Sequence, residues 1–212
     1  MVAHEYAHGY AALRQGDDTA LKLGRLTLNP LKHIDPFMTV IMPVALFLST
    51  GMAMGGAKPV PVNPRNYRQF RRGDIIVSLA GVATNLVLAV VSAALTFLFG
   101  AVGAAAPAAA DAMGVLQAMC FCGVLINLGL IFFNLIPIPP LDGSHVFKYI
   151  LPPAWSLTYQ RLGFAGFLIL LLLLRTPLFS WWMSPVFTAV SALFAGLRRT
   201  GQLLPVAGAL IR

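Results

Sequence analysis

Glu5, the only glutamate among 212 residues, lies in His4-Glu5-Tyr6-Ala7-His8. The spacing His-Glu-x-x-His can do metal chemistry. On a helix, residues four apart share a face, so His4 and His8 can aim ring nitrogens at one ion. Glu5 projects from a neighbouring angle and can reach a water held by that ion. Zinc lowers the pKa of such a water towards about 7, and a carboxylate beside it can take the proton during attack on a carbonyl.

Catalytic zinc uses three protein ligands and keeps one position open. The remaining acids are all aspartates. Asp17, Asp18 and Asp35 fall in a polar stretch, while Asp74 and Asp111 sit at the boundaries of apolar segments, where solvation or helix capping is the ordinary role. Asp142 differs, because it follows a long apolar segment stopped by Pro137, Pro139 and Pro140 and precedes Gly143. Prolines free backbone groups, which are tolerated at membrane depth only inside protein or beside a polar cavity, and an ionisable group there is a functional candidate. Taken alone, Asp142 equally suits a cap for a helix beginning near Ser144. Beside the His-Glu-x-x-His it reads as a metal ligand.

The elements that position these residues are membrane helices. The chain is 58% hydrophobic and 10% charged, against about 25% charged in soluble domains, and its mean hydropathy is +0.79. The length suits about five to seven membrane segments of about 20 residues each. A net charge of +8 fits cytoplasmic loops facing anionic lipid; nothing supports a nucleic-acid partner. Cys120 and Cys122 fit neither a disulfide framework nor a zinc spacing.

Val2 to Leu13 reads as a helix too short to span. Leu21 to Leu28 alternates as a short strand would, and Pro36 to Gly51 is an apolar block of marginal length, re-entrant or shallow. Ile75 to Phe99 and Met113 to Ile136 are full spans. His145 to Leu151 is short, and Leu162 to Leu174 with Leu178 to Leu197 supply one or two more helices. No Lys or Arg occurs between Arg72 and Lys148. The positive-inside rule therefore puts the Lys58 to Arg72 loop in the cytoplasm, Gly100 to Asp111 outside, and Asp142 near the cytoplasmic face. Gly55 to Asn63, with Pro59 and Pro61, is extended by composition: either an edge for a peptide, with Pro59 and Val60 touching it, or an ordinary loop.

The fold class is thus all-α integral membrane, a polytopic helix bundle with short β-strand or extended loops. His33 reads as a solvated or locally bonded loop residue, His145 as an interfacial helix residue, and Trp155, Trp181 and Trp182 as interface anchors. A metal transporter would carry ionisable groups within several spans, yet Asp111 is the one charged residue between Ile75 and Leu141.

His4-Glu5-Tyr6-Ala7-His8 together with Asn134-Leu135-Ile136-Pro137-Ile138-Pro139-Pro140-Leu141-Asp142-Gly143 resembles the site-2 protease family of intramembrane zinc metalloproteases, in its compact prokaryotic branch. The similarity continues through Gly16-Asp17, Gly24 to Pro30 and Ala57 to Asn63. The resemblance implies a three-helix catalytic core and cleavage of membrane-spanning protein substrates within the bilayer. It implies one zinc per chain on His4, His8 and Asp142, Glu5 as general base, and Asn134 as a residue binding the substrate strand or polar groups of the site. Asn85 falls where the family often has Gly-Pro-x-x-Asn, but Gly81-Val82-Ala83-Thr84-Asn85 lacks the proline. Residues 1–151 would be the protease core and 152–212 C-terminal membrane helices. A multi-pass protein of the inner (plasma) membrane follows, its active site towards the cytoplasm. The competing reading is a non-proteolytic, zinc-stabilised membrane scaffold, against which an intact Glu5 speaks. Since family members carry more apolar residues before the motif than Met1, Val2 and Ala3, the reading frame is expected to continue upstream by about 10–15 apolar residues, completing that helix.

Overall fold

The computed structural model describes residues 1–50 and 55–211. Its helices are α1 (Val2–Gln15), α2 (Thr19–Lys22), α3 (Met42–Thr50), α4 (Phe70–Ala105), α5 (Ala110–Asn134), α6 (Asp142–Phe147), α7 (Pro153–Gln160), α8 (Gly163–Leu173), α9 (Pro177–Arg199) and α10 (Pro205–Leu210). The chain divides into two compact units, Met1–Thr84 with His145–Ile150, and Asn85–Ser144 with Leu151–Arg212.

In the first unit, α1 stops at Gly16, whose φ of 112° is left-handed backbone that glycine adopts without a Cβ penalty. Asp35 accepts from the N–H groups of Phe37 and Met38, each at 2.9 Å, and so caps the π-helix Pro36–Ile41 that runs into α3. Gly51, the end of the apolar block expected there, lies outside the described residues. Ala12, Tyr67 and Val77 form a buried cluster with Ala11 and Val62 against it. It joins α1, the first turns of α4 and the extended segment between them.

In the second unit, α4 and α5 run antiparallel. A Cβ on Gly103 would meet Met113, one on Gly100 would meet Gln117, and one on Gly123 would meet Ser92, so contacts pair falling with rising numbers. Gln117 is fully buried. Its Nε2 donates to the carbonyls of Thr96 (3.1 Å) and Gln202 (2.7 Å), and its Oε1 accepts from Leu204 N–H (3.1 Å), which fastens the segment leading into α10. A second cluster gathers Ile136, Leu141 and Leu170, with Trp182 against it.

Among the described residues three helices are long and apolar enough to cross a membrane, α4, the stretch Pro107–Asn134 and α9, or up to four if the bent pair around α7 and α8 is one span. Among the described residues this is fewer than the five to seven segments suited to the length, the described parts of α1 and of Pro36–Thr50 being shorter than a span. By contrast α4 is about 54 Å long at 1.5 Å per residue, and carries Arg71 and Arg72 in its first turn.

Several sequence expectations are corrected. No strand occurs among the described residues, and Leu21 to Leu28 is not one. Its first residues close helix α2, and Gly24 turns the chain at φ 62°. Leu21, Leu23 and Leu28 are all exposed, so their alternation marks no buried sheet face. Of the two readings of His33 the structure shows the locally bonded one and not the solvated one: it is buried, with Nε2 donating to the Thr27 carbonyl at 2.8 Å. Trp182 is more than an interface anchor: its indole N–H donates to the Phe132 carbonyl at 2.7 Å. Asp74 is neither solvated nor a cap but buried in an ion pair with Lys148.

Candidate metal centre

Helix periodicity does on α1 what the spacing requires. The Nε2 atoms of His4 and His8 lie 3.0 Å apart, with the rings edge to face at 84°. His4 is buried. His8 Nδ1 lies 2.7 Å from the Val77 carbonyl oxygen on α4. A carbonyl only accepts, so Nδ1 carries the proton and Nε2 keeps its lone pair, the tautomer a metal-bound imidazole requires.

The backbone of α4 passes close behind the pair at Gly81. A Cβ there would lie 2.6 Å from both His4 Nδ1 and His8 Nε2, a space no side chain can share. Converging imidazole nitrogens, one with its tautomer set by a backbone acceptor, fit zinc, whose catalytic sites combine histidines with a carboxylate.

Glu5, half-buried, accepts from the Val60 N–H through Oε2 at 2.9 Å. Val60 is buried and Pro59 exposed, within an extended segment without regular structure. Asp17, with no exposed surface, gathers the far end of that segment. Its carboxylate accepts from Asn63 N–H (2.6 Å), Asn66 Nδ2 (2.8 Å) and the N–H and hydroxyl of Thr19. Burial pushes this carboxyl up, but the four donors together outweigh it and hold it below its ordinary value.

Asp142, in the second unit, opens α6 and is half-buried. The first turn of α6 packs tightly against the end of α5: a Cβ on Gly143 would lie 2.5 Å from the Leu135 carbonyl oxygen, so glycine is required there. Asn134 turns its amide back on its own helix, donating to the Leu130 carbonyl at 2.9 Å. Asn85 is fully buried in α4.

Sequence reasoning passed over the group around Asp74. Lys148 was a signal, being the first cation after Arg72, but only the fold shows its partner. The roles of Asp17 and Gly81 were likewise unseen, although both residues stood in family-like stretches.

The sequence model described as peptidase family M50 matches residues 98–174, a stretch that holds the prolines and Asp142 but not the histidine pair. The "Putative zinc metalloprotease YwhC" of Bacillus subtilis is 41% identical over 186 residues, which is 88% of this chain and 81% of that protein. The chain belongs to peptidase family M50. Two proteins each named "Putative zinc metalloprotease Rip2" are also similar. That of Mycolicibacterium smegmatis is 36% identical over 84% of this chain and 64% of its own length. That of Mycobacterium tuberculosis is 30% identical over 87% and 67%. No solved structure matches the chain. As a member of this site-2 protease family, with helices that cross the membrane more than once, the protein is an intramembrane zinc metalloprotease, and the scaffold alternative is not favoured.

Proposed function

We propose that this peptidase hydrolyses peptide bonds in membrane-spanning segments of other proteins, with His4, His8 and Asp142 as its zinc ligands and Glu5 as its general base. The observation that carries the reading is the helical pair His4 and His8, its Nε2 atoms 3.0 Å apart and Glu5 between them in sequence. Zinc, when bound, supplies a Lewis acid for the scissile carbonyl and makes water a nucleophile near neutral pH. Glu5 takes the proton from that water at a carboxylate oxygen and returns it to the leaving nitrogen. The Val77 carbonyl keeps the His8 ring oriented, with Nδ1 as the donor and Nε2 turned towards His4.

A helical substrate hides its peptide bonds and must unwind before attack. The extended segment at Pro59 and Val60 offers a surface beside which an unwound strand would lie, and Asn134 and Asn85 are the amide groups assigned to substrate binding. The protein would sit in the plasma membrane, with the basic Lys58 to Arg72 loop and the active site on the cytoplasmic side.

The test is paired metal analysis and turnover of a synthetic transmembrane peptide by purified protein. Glu5→Gln is expected to abolish cleavage and keep zinc, because only the base is lost. Asp142→Ala is expected to lower zinc occupancy. Unchanged turnover in the first variant sinks the mechanism, and full zinc retention in the second moves the third ligand elsewhere.

A further inference from the structure

Pro59, Val60 and Pro61 hold one amide hydrogen among them, that of Val60, since proline has no N–H. That single donor points at Oε2 of Glu5, 2.9 Å away. We infer that residues 58–66 are a strap that fixes the Glu5 carboxylate, with Val60 as a positioning residue for the general base and Gly9 as the seat that holds it. This rests on the assignment of Glu5 as the base.

The strap is fastened along its length. At its start Lys58 N–H donates to the His33 carbonyl at 2.8 Å, and Arg25 Nη2 donates to the carbonyls of Lys58 (3.2 Å) and Pro59 (3.4 Å). At its end Asn63 N–H and Asn66 Nδ2 both donate to Asp17. In the middle Val60 is 6% exposed. A Cβ added to Gly9 would lie 2.8 Å from Val60 Cγ1 and 3.1 Å from Leu26 Cδ1, so the valine occupies the notch left by the missing side chain. Gly9 follows Glu5 by four residues and shares its face of α1. The contact that seats the valine is therefore one turn from the bond its amide makes.

The flanking prolines add register. Each fixes φ near −65°, so the segment stays extended and cannot slide to present another donor to Glu5. A glutamate has a freely rotating stem, and with one oxygen held by a fixed donor proton transfer falls to Oε1. Because the Val60 N–H is engaged by Glu5, any pairing of substrate with this segment must use its other groups.

Two measurements on detergent-solubilised full chain decide this. The first is hydrogen exchange of the Val60 amide in metal-free protein, wild type against Glu5→Ala. Exchange at Val60 should rise about tenfold or more in the variant, with Asn63 unchanged because Asp17 still holds it. Equal exchange at Val60 overturns the strap. The second is Val60→Pro, which removes the donor while keeping an extended backbone, compared with Val60→Ala, which keeps the donor. Val60→Pro should lower kcat about 10- to 100-fold with zinc content unchanged, and by clearly more than Val60→Ala, which loses the side-chain seat on Gly9 but keeps the donor. Wild-type kcat in Val60→Pro, or a loss expressed only in KM or zinc content, overturns the positioning role. If Val60→Pro does not fold, the exchange measurement alone decides. Failure of wild-type cleavage would count against the proposed reaction and leave the exchange result standing by itself.

Discussion

Lys148 Nζ lies 2.6 Å from Asp74 Oδ2, and both side chains are buried. Tyr149 donates its hydroxyl to the same oxygen at 2.9 Å, and His145 Nδ1 approaches Oδ1 at 3.5 Å. Burial, then the bond to Asp74, pushes the Tyr149 hydroxyl up, so it remains a donor across ordinary pH. Arg71 stands 5.2 Å over the Tyr149 ring. Residues 145–149 are thereby tied to the first turns of α4. Lys148→Met leaves a buried carboxylate without its cation and should cost about 3–5 kcal/mol. Asp74→Leu with Lys148→Met should recover most of that, because neither charge is then stranded. Denaturant titration of both variants in detergent checks the order, and a Lys148→Met protein as stable as wild type refutes it.

Gly81→Ala separates helix stability from the metal site. Alanine favours a helix over glycine by about 1 kcal/mol, yet its Cβ would fall within 2.6 Å of His8 Nε2. The variant should keep its helix content while its zinc affinity falls by about tenfold or more, the range seen when ligand-orienting neighbours are lost. Circular dichroism and zinc titration on one preparation decide it. Undiminished zinc affinity would show that the ring pair adapts.

Asp17 carries a pH dependence. Its folded-state pKa is lowered, against about 3.9 in the unfolded chain. Its contribution is therefore complete above about pH 4 and is lost as pH falls through the folded value. Asp17→Asn should lose about 1.5–3 kcal/mol at neutral pH and show a shallower fall in stability below about pH 4. Parallel acid-limb slopes in wild type and variant would exclude Asp17 as the titrating group.

Orientation is checked with single cysteines replacing Arg65 and Ala105, both exposed, in a protein lacking Cys120 and Cys122. With α4 between them, the two positions should label from opposite sides, Arg65 from the cytoplasm. Labelling from one side would remove α4 as a span, and Arg65 reacting from outside would invert the proposed orientation.

What the sequence determined by itself is what depends on local order. The His-Glu-x-x-His spacing places its histidines together because the period of a helix is a property of a few adjacent residues. The apolar lengths of α4, α5 and α9 announce spans, and Pro137 to Pro140 announce the end of α5, because proline acts on its own backbone. What only the tertiary structure decided are the partners of these elements. The acceptor that orients His8 is the Val77 carbonyl, 69 residues away, and a carbonyl leaves no mark in a sequence since every residue has one. Glycine at 81 or 9 looks like any other until a ring or a valine fills its place. The alternation of Leu21 to Leu28 misled because period shows a face without showing whether anything packs on it. Asp74 and Lys148 read as boundary charges until the fold closed them on each other, because burial of a charge is settled by everything that surrounds it.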